Sequence, residues 1–172
     1  ARWALLADAS GHGPSAALIA AASKALIERN SVCPSELLRK LNNKLCNLLE
    51  PSEVAYYVTA ICLKIESNQV TFANAGHPPA FLKIGSGIKS LASQAIPLGI
   101  RKTINYTEEK IDFTSPGLLL TFSDGLLEVL TEEEIKQLLA NVQGAEEAYQ
   151  RLADFLKENP AKDDVCFLSL SV

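Results

Sequence analysis

Apolar positions along the chain switch between strand-like and helix-like spacing, and the order of the switches predicts the elements. Arg2 to Ala7 form a short buried strand that runs into the turn-rich stretch Asp8-Ala9-Ser10-Gly11-His12-Gly13. Pro14 suits a first helical position, and the Ala-rich segment from Ser15 to about Glu28 reads as a strong helix. A second helix is expected from about Ser35, with Pro34 at its start, to Leu49, because Leu37, Leu38, Leu41, Leu45, Leu48 and Leu49 recur on one face.

From Val54 to Phe122 the spacing becomes that of strands. Tyr56 to Ile65, Gln69 to Ala73, Ala80 to Ile84, a short strand after Gly85-Ser86-Gly87, Tyr106 to Phe113 and Gly117 to Phe122 follow one another. Their connections are short, which predicts antiparallel pairing. Thr131-Glu132-Glu133-Glu134 is a capping-box sequence opening a helix to about Ala140, and Glu146 to Glu158 is a further helix. A last strand is expected from Val165 to Val172, with Cys166, Leu168, Leu170 and Val172 on one face. Strand, two helices, a β-rich middle, two helices and a final strand imply an α+β fold, an antiparallel sheet or sandwich covered by helices, and not a doubly wound parallel sheet.

Composition narrows the function classes. With 48% hydrophobic and 21% charged residues in 172, the chain reads as one soluble globular domain with a core. A net charge of −4 without a Lys/Arg run excludes the usual nucleic-acid footprint and disfavours anionic membranes. The longest apolar stretch, Ala16 to Ile27, is broken by Ser23 and Lys24 and is too short to cross a bilayer. Cys33, Cys46, Cys62 and Cys166 form no metal or redox spacing and read as buried free thiols. No secretory signal opens the chain, so a cytoplasmic location is expected. The absence of Met and the start on an apolar run read as an excerpt of a longer protein.

The candidate chemistry lies in carboxylates at strand ends. Asp8 follows an apolar strand, Asp124 follows Leu118 to Phe122, and Asp163-Asp164 precedes Val165 to Leu168. Carboxylates fixed at strand rims suit hard cations such as Mg²⁺ or Mn²⁺. Taken singly, Asp-Gly and Lys-Asp-Asp are equally turn formers, and spacing alone leaves both readings open.

Several ordered segments carry a resemblance. Asp8-Ala9-Ser10-Gly11-His12-Gly13 with Ala16-Ala17-Leu18, then Asn74-Ala75-Gly76-His77-Pro78-Pro79, Pro97-Leu98-Gly99, Phe122-Ser123-Asp124-Gly125-Leu126-Leu127-Glu128 and Asp163-Asp164-Val165 resemble the motifs of the SpoIIE-like bacterial branch of the PPM (protein phosphatase 2C-like) phosphatases. The resemblance covers nearly the whole chain and identifies residues 1–172 as a single SpoIIE-like phosphatase domain that lacks its N-terminal segment. It implies a β-sandwich flanked by helices with a centre of two divalent cations, Mn²⁺ or Mg²⁺. Asp8 would bridge the cations, the Ala9 carbonyl would add a ligand, and Asp124 and Asp163 would complete this chain's share, with Asp164 the weaker candidate. The activity implied is hydrolysis of phosphoserine or phosphothreonine on a small regulatory protein, an anti-sigma-factor antagonist of the STAS type, by a metal-bridging hydroxide. A non-catalytic module that keeps the phosphatase fold and a phosphodiesterase or small-molecule phosphatase using the same metals are the competing readings.

Residue chemistry and position suggest supporting roles around these motifs. His12 lies four residues after Asp8, where the eukaryotic relatives carry a His only two after theirs, so a general-acid role does not carry over. His12 and His77 read as loop-ordering residues, Asn74 as a support of the loop beneath the site, and Gly11, Gly13 and Gly76 as backbone requirements. The N-terminus of the helix from Ser15 would favour a bound phosphate. In the family, a Gly-Gly-Asp-type segment and its strands precede the first motif and help complete the metal site, and upstream sensor regions are common. The stretch from Glu128 to Thr131 is shorter than in relatives.

Overall fold

The computed structural model describes residues 1–28, 30–49, 56–92 and 95–172. Its strands are β1 (Arg2–Ala9), β2 (Val58–Ile65), β3 (Gln69–Ala75), β4 (Ala80–Ile84), β5 (Gly87–Leu91), β6 (Glu108–Asp112), β7 (Gly117–Phe122) and β8 (Phe167–Ser171). Its α-helices are α1 (Gly13–Leu26), α2 (Pro34–Leu49), α3 (Glu132–Ala140) and α4 (Ala145–Glu158), and a 3-10 helix spans Asp124–Glu128. The expected fold class holds: two antiparallel sheets and four α-helices, α+β. Val54 and Ala55, where the β-rich middle is expected to begin, lie outside the described residues.

The chain divides into two compact units. The first comprises Ala1–Ile65, Gln69–His77 and Ser93–Ile111. Its sheet runs β1-β2-β3-β6, so β1 is an edge strand. Val58, Ala60 and Cys62 of β2 and Ala73 and Ala75 of β3 form a core with Ile19 of α1 and Leu37, Leu38, Leu41 and Leu45 of α2. Each such fully buried aliphatic side chain contributes about 1.5–3 kcal/mol relative to exposure. Ile61, Leu63, Ile65 and Phe72, on the opposite face, are buried as well, which explains why β2 reads as a nearly continuous apolar run. Leu48 departs from the expected Leu stripe and is exposed, while its neighbour Leu49 packs against the core.

One polar side chain inside α2 locates a distant loop. Asn42 is buried, donates through Nδ2 to the Arg101 carbonyl and accepts from the Gly99 N–H, each at 3.0 Å. Leu98 exchanges backbone hydrogen bonds with Val58 at 3.0 and 2.8 Å. Pro97-Leu98-Gly99 is thereby the segment that ties this loop to the start of β2.

The second unit comprises Glu66–Asn68, Pro78–Ala92 and Asp112–Val172, with a sheet in the order β5-β4-β7-β8. Phe81 and Leu118, Leu120 and Phe122 meet Ile135 and Leu139 of α3 and Leu152 of α4. The capping box at Thr131 forms both of its bonds, from the Glu134 N–H to Thr131 Oγ1 and from the Thr131 N–H to the Glu134 carboxylate. At the other end of α3, the Lys83 ammonium donates to the carbonyls of Leu139, Ala140 and Val142 at 2.8, 3.1 and 2.6 Å, satisfying acceptors a helix end leaves open.

Two expectations fail on one element. The last strand begins at Phe167 rather than Val165, and Cys166 is exposed rather than buried. β8 is an edge strand, so its residues are only partly covered, and Val165-Cys166 belong to the loop before it. Cys46 and Cys62 are buried free thiols as expected, burial pushing Cys62 up to about 12, while Cys33 is partly exposed.

Candidate functional site

Asp8 lies inside β1, which continues to Ala9, two residues past the expected end. Antiparallel register sets Asp8 opposite Thr59 and Leu6 opposite Ile61. Opposed residues share a face with Cβ atoms about 4.5–5.5 Å apart, so Asp8 and Thr59 project together from the face away from α1 and α2. The Thr59 hydroxyl is 2.9 Å from His77 Nδ1. The peptide of His77 is held in turn by Asn74, whose Oδ1 accepts from the His77 N–H at 2.8 Å and whose Nδ2 donates to the His77 carbonyl at 2.9 Å. Asn74 and His77 are both buried. The expected loop-ordering roles of Asn74 and His77 take this specific form, and the chain of bonds ends at the residue facing Asp8. Thr59 is a supporting residue that sequence reasoning missed, because only the strand register brings it to Asp8.

Past Ala9 the ladder is continued by a side chain. The Ser10 N–H donates to the Tyr57 carbonyl and the Tyr57 N–H to Ser10 Oγ, each at 2.9 Å. Gly11 and Gly13 then adopt φ of +88° and +77° with open space around them, so backbone conformation alone requires glycine. Gly76 combines φ +69° with a close approach, since a Cβ there would stand 2.8 Å from Pro97. His12 is exposed, in the cap position of α1, without a side-chain capping bond, and the first turn of α1 holds no acidic residue. The positive end of that helix is therefore not cancelled locally.

In the second unit, Asp124 opens the 3-10 helix directly after β7, and Asp163-Asp164 lie in the loop before β8. The two segments are joined first through Ser123. The Ser123 N–H donates to the Cys166 carbonyl at 2.8 Å, the Cys166 N–H to Ser123 Oγ at 2.9 Å, and Ser123 Oγ to the Asp164 carbonyl at 3.3 Å. Gly125 sits so close that a Cβ would come within 2.5 Å of the Asp164 carbonyl oxygen. The Glu128 carboxylate accepts from the N–H groups of Lys162 and Asp163 at 2.8 and 3.3 Å. Asp163 Oδ1 accepts from the Asp164 N–H at 2.8 Å, and Asp124, Glu128, Asp163 and Asp164 are all exposed. Ser123 and Glu128 lie in a segment the motif reading singled out, yet their roles depend on a contact with residues some forty positions away.

Among the described residues, no three His, Cys, Asp or Glu side chains stand together as a ready-made ligand cage. The oxygen donors at both rims nevertheless fit hard divalent cations of the Mg²⁺ type, which keep several waters and take only one or two carboxylates from a protein. Asp8, the Ala9 carbonyl, Asp124 and Asp163 are the groups available for that role.

Comparison with known proteins decides the family. The family model described as Stage II sporulation protein E (SpoIIE) matches residues 2–172. The chain belongs to the SpoIIE family. This SpoIIE-family chain is 28% identical over 181 residues to the phosphoserine phosphatase RsbP of Bacillus subtilis (strain 168), covering 98% of the chain and 45% of RsbP. It spans less than half the length of the curated relatives it matches, 45% and 39% of them. A crystal structure of a bacterial serine phosphatase with an arginine-to-alanine substitution superposes with a TM-score of 0.80 at 19% identity, over 99% of this chain and 84% of that one. The catalytic domain of the serine/threonine protein phosphatase PstP, crystallised with two manganese ions, gives 0.76 at 15% identity over 99% and 86%. The SpoIIE-family fold is thus that of the PP2C-type phosphatases.

Proposed function

We propose that the chain is the catalytic part of a metal-dependent phosphoprotein phosphatase acting on phosphoserine or phosphothreonine. Asp8, with the Ala9 carbonyl, and Asp124 and Asp163 hold two divalent cations, Mn²⁺ or Mg²⁺. The observation that carries this reading is the support given to those carboxylates. A relay from the buried Asn74 and His77 to the half-buried Thr59 ends opposite Asp8, and the Asp124 and Asp163 segments are laced together through Ser123 and Glu128. Turn-forming aspartates have no need of such frames.

When bound, two such cations supply a lowered pKa for water and neutralisation of the charge that builds on a transferring phosphoryl group. The chain's own part is to hold carboxylate oxygens in fixed directions. Asp163 spends one oxygen on the Asp164 N–H and keeps the other free of that bond. The uncancelled N-terminus of α1, directly after the Asp8 loop, favours a nearby phosphate dianion. The name of RsbP as a phosphoserine phosphatase supports this choice of substrate class. The motif resemblance favours a small phosphorylated anti-sigma-factor antagonist of the STAS type in the cytoplasm as the partner, and no helix among the described residues is long and apolar enough to cross a membrane.

The test is hydrolysis of p-nitrophenyl phosphate and of a phosphoserine peptide by the full-length parent protein with Mn²⁺, beside Asp8→Asn and Asp124→Asn. Both variants are expected to fold and to lose Mn²⁺-dependent turnover. Equal activity in all three proteins would sink the metal assignment, and no turnover in the wild type would favour a non-catalytic module.

A further inference from the structure

We propose that Glu128 is a positioning residue that aims Asp163 by clamping the backbone of the Lys162-Asp163 loop onto the 3-10 helix that carries Asp124. The inference rests on the reading of Asp163 as a metal ligand.

The carboxylate of Glu128 reaches across 35 positions of sequence to accept the Asp163 N–H, and with the same Oε2 it accepts the Lys162 N–H. Both donors belong to the loop that turns Asp163 outward. Asp163 is then pinned on both sides of its Cα: its N–H by Glu128, and its Oδ1 by the N–H of Asp164. The carboxylate is left with one oxygen that this loop does not occupy. The remaining joints between the segments involve Ser123 and Gly125 and grip Asp164 and Cys166. Among the described bonds, Glu128 alone reaches Asp163 itself from the helix carrying Asp124.

Both N–H groups converge on one oxygen of Glu128, Oε2. A carboxylate accepting from two backbone donors is a charge-assisted clamp. Because Glu128 is exposed, such bonds add little to folding, so the clamp's effect should appear in ligand geometry rather than in stability. Groups that orient ligating carboxylates commonly change metal affinity by about 10–100-fold when removed.

The experiment measures Mn²⁺ binding to the full-length protein by titration calorimetry, the melting temperature without metal, and KM and kcat on a phosphoserine peptide. The proteins are wild type, Glu128→Ala, Glu128→Gln and Asp163→Asn. Glu128→Ala should weaken Mn²⁺ binding about 10–100-fold with a near-normal melting temperature. Glu128→Gln should recover most of that loss, because its amide oxygen still accepts the two N–H groups. Wild-type Mn²⁺ affinity in Glu128→Ala, beside weakened binding in Asp163→Asn, overturns this inference and leaves the proposed function standing. A Gln variant as weak as the Ala variant overturns it, because accepting the two N–H groups would then not be what sets the affinity. A lowered melting temperature with unchanged Mn²⁺ affinity overturns it in favour of a structural brace. Unchanged binding in Asp163→Asn removes both this inference and the ligand assignment beneath it.

Discussion

The two rims that carry the candidate ligands are built by different means. Around Asp8 the support is largely buried: Asn74 and His77, with the half-buried Thr59, form a run of hydrogen bonds within the first unit. Around Asp124 and Asp163 it is mixed, the buried Ser123 gripping Cys166 and Asp164 while the exposed Glu128 carboxylate takes the N–H groups of Lys162 and Asp163 in the second unit. The physics of the two differs. A buried polar group left without its partner costs its desolvation, whereas an exposed charged bond exchanges with water at little loss. Losing a bond should therefore cost more folding energy around Asp8 than at the Glu128 clamp beside Asp163.

The sharpest way to break this contrast is Asn74→Ala. It strips partners from both the N–H and the carbonyl of a buried His77 and should cost about 2–4 kcal/mol in urea unfolding. Glu128→Ala should cost under about 1 kcal/mol in the same assay. Equal costs would remove it.

Glycines sharpen it at an intermediate scale. At Gly125 the obstacle is packing, because a Cβ would meet the Asp164 carbonyl oxygen at 2.5 Å, and Gly125→Ala should cost about 1–3 kcal/mol while displacing the Asp163 loop. At Gly11 the obstacle is conformational, since φ is +88° in open space, and Gly11→Ala should cost about 1–2 kcal/mol. Gly11→Asn should recover part of that loss, because Asn tolerates positive φ, and Gly125→Asn should recover nothing. Identical Asn and Ala effects at position 11 would refute the conformational explanation. Thermal melts of the four variants decide it.

Sequence reading succeeded where one residue's neighbours on the chain determine the outcome. The capping box at Thr131, the strands Ala80–Ile84 and Gly117–Phe122, and the positive φ of Gly11, Gly13 and Gly76 are all of this kind. The candidate carboxylates were legible too, but as motif residues rather than as geometry. What stayed hidden depends on contacts across the sheet or between loops. Thr59 matters only because register puts it opposite Asp8, and Glu128 only because a distant loop folds back on it. Apolar alternation predicted a buried Cys166, yet burial depends on a neighbouring strand that β8, at the sheet edge, lacks on one side.

The smallest predicted effect tests whether a carboxylate clamp does different work in the two units. Glu108 in β6 uses the same device as Glu128: its Oε2 accepts from the Ser35 hydroxyl at 2.9 Å and the Ser35 N–H at 3.4 Å, at the start of α2. Burial pushes its carboxyl up, but the hydrogen bonds from Ser35 and Cys33 outweigh burial and hold it below the ordinary carboxylate value. A depressed folded value means that the ionised clamp stabilises the protein above the unfolded pKa of about 4.3 and is lost as pH falls through the folded value. Negative charge at a helix N-terminus contributes about 0.3–1 kcal/mol, so Glu108→Gln should destabilise by that amount at pH 7. The gap from wild type should narrow below the unfolded value and close as the pH falls through the folded one. Mn²⁺ affinity should stay unchanged, the reverse of Glu128→Ala, because Glu108 steadies a helix start and no candidate ligand. A loss of Mn²⁺ binding in Glu108→Gln would show that clamps in both units serve the metal, and the contrast between them would fall.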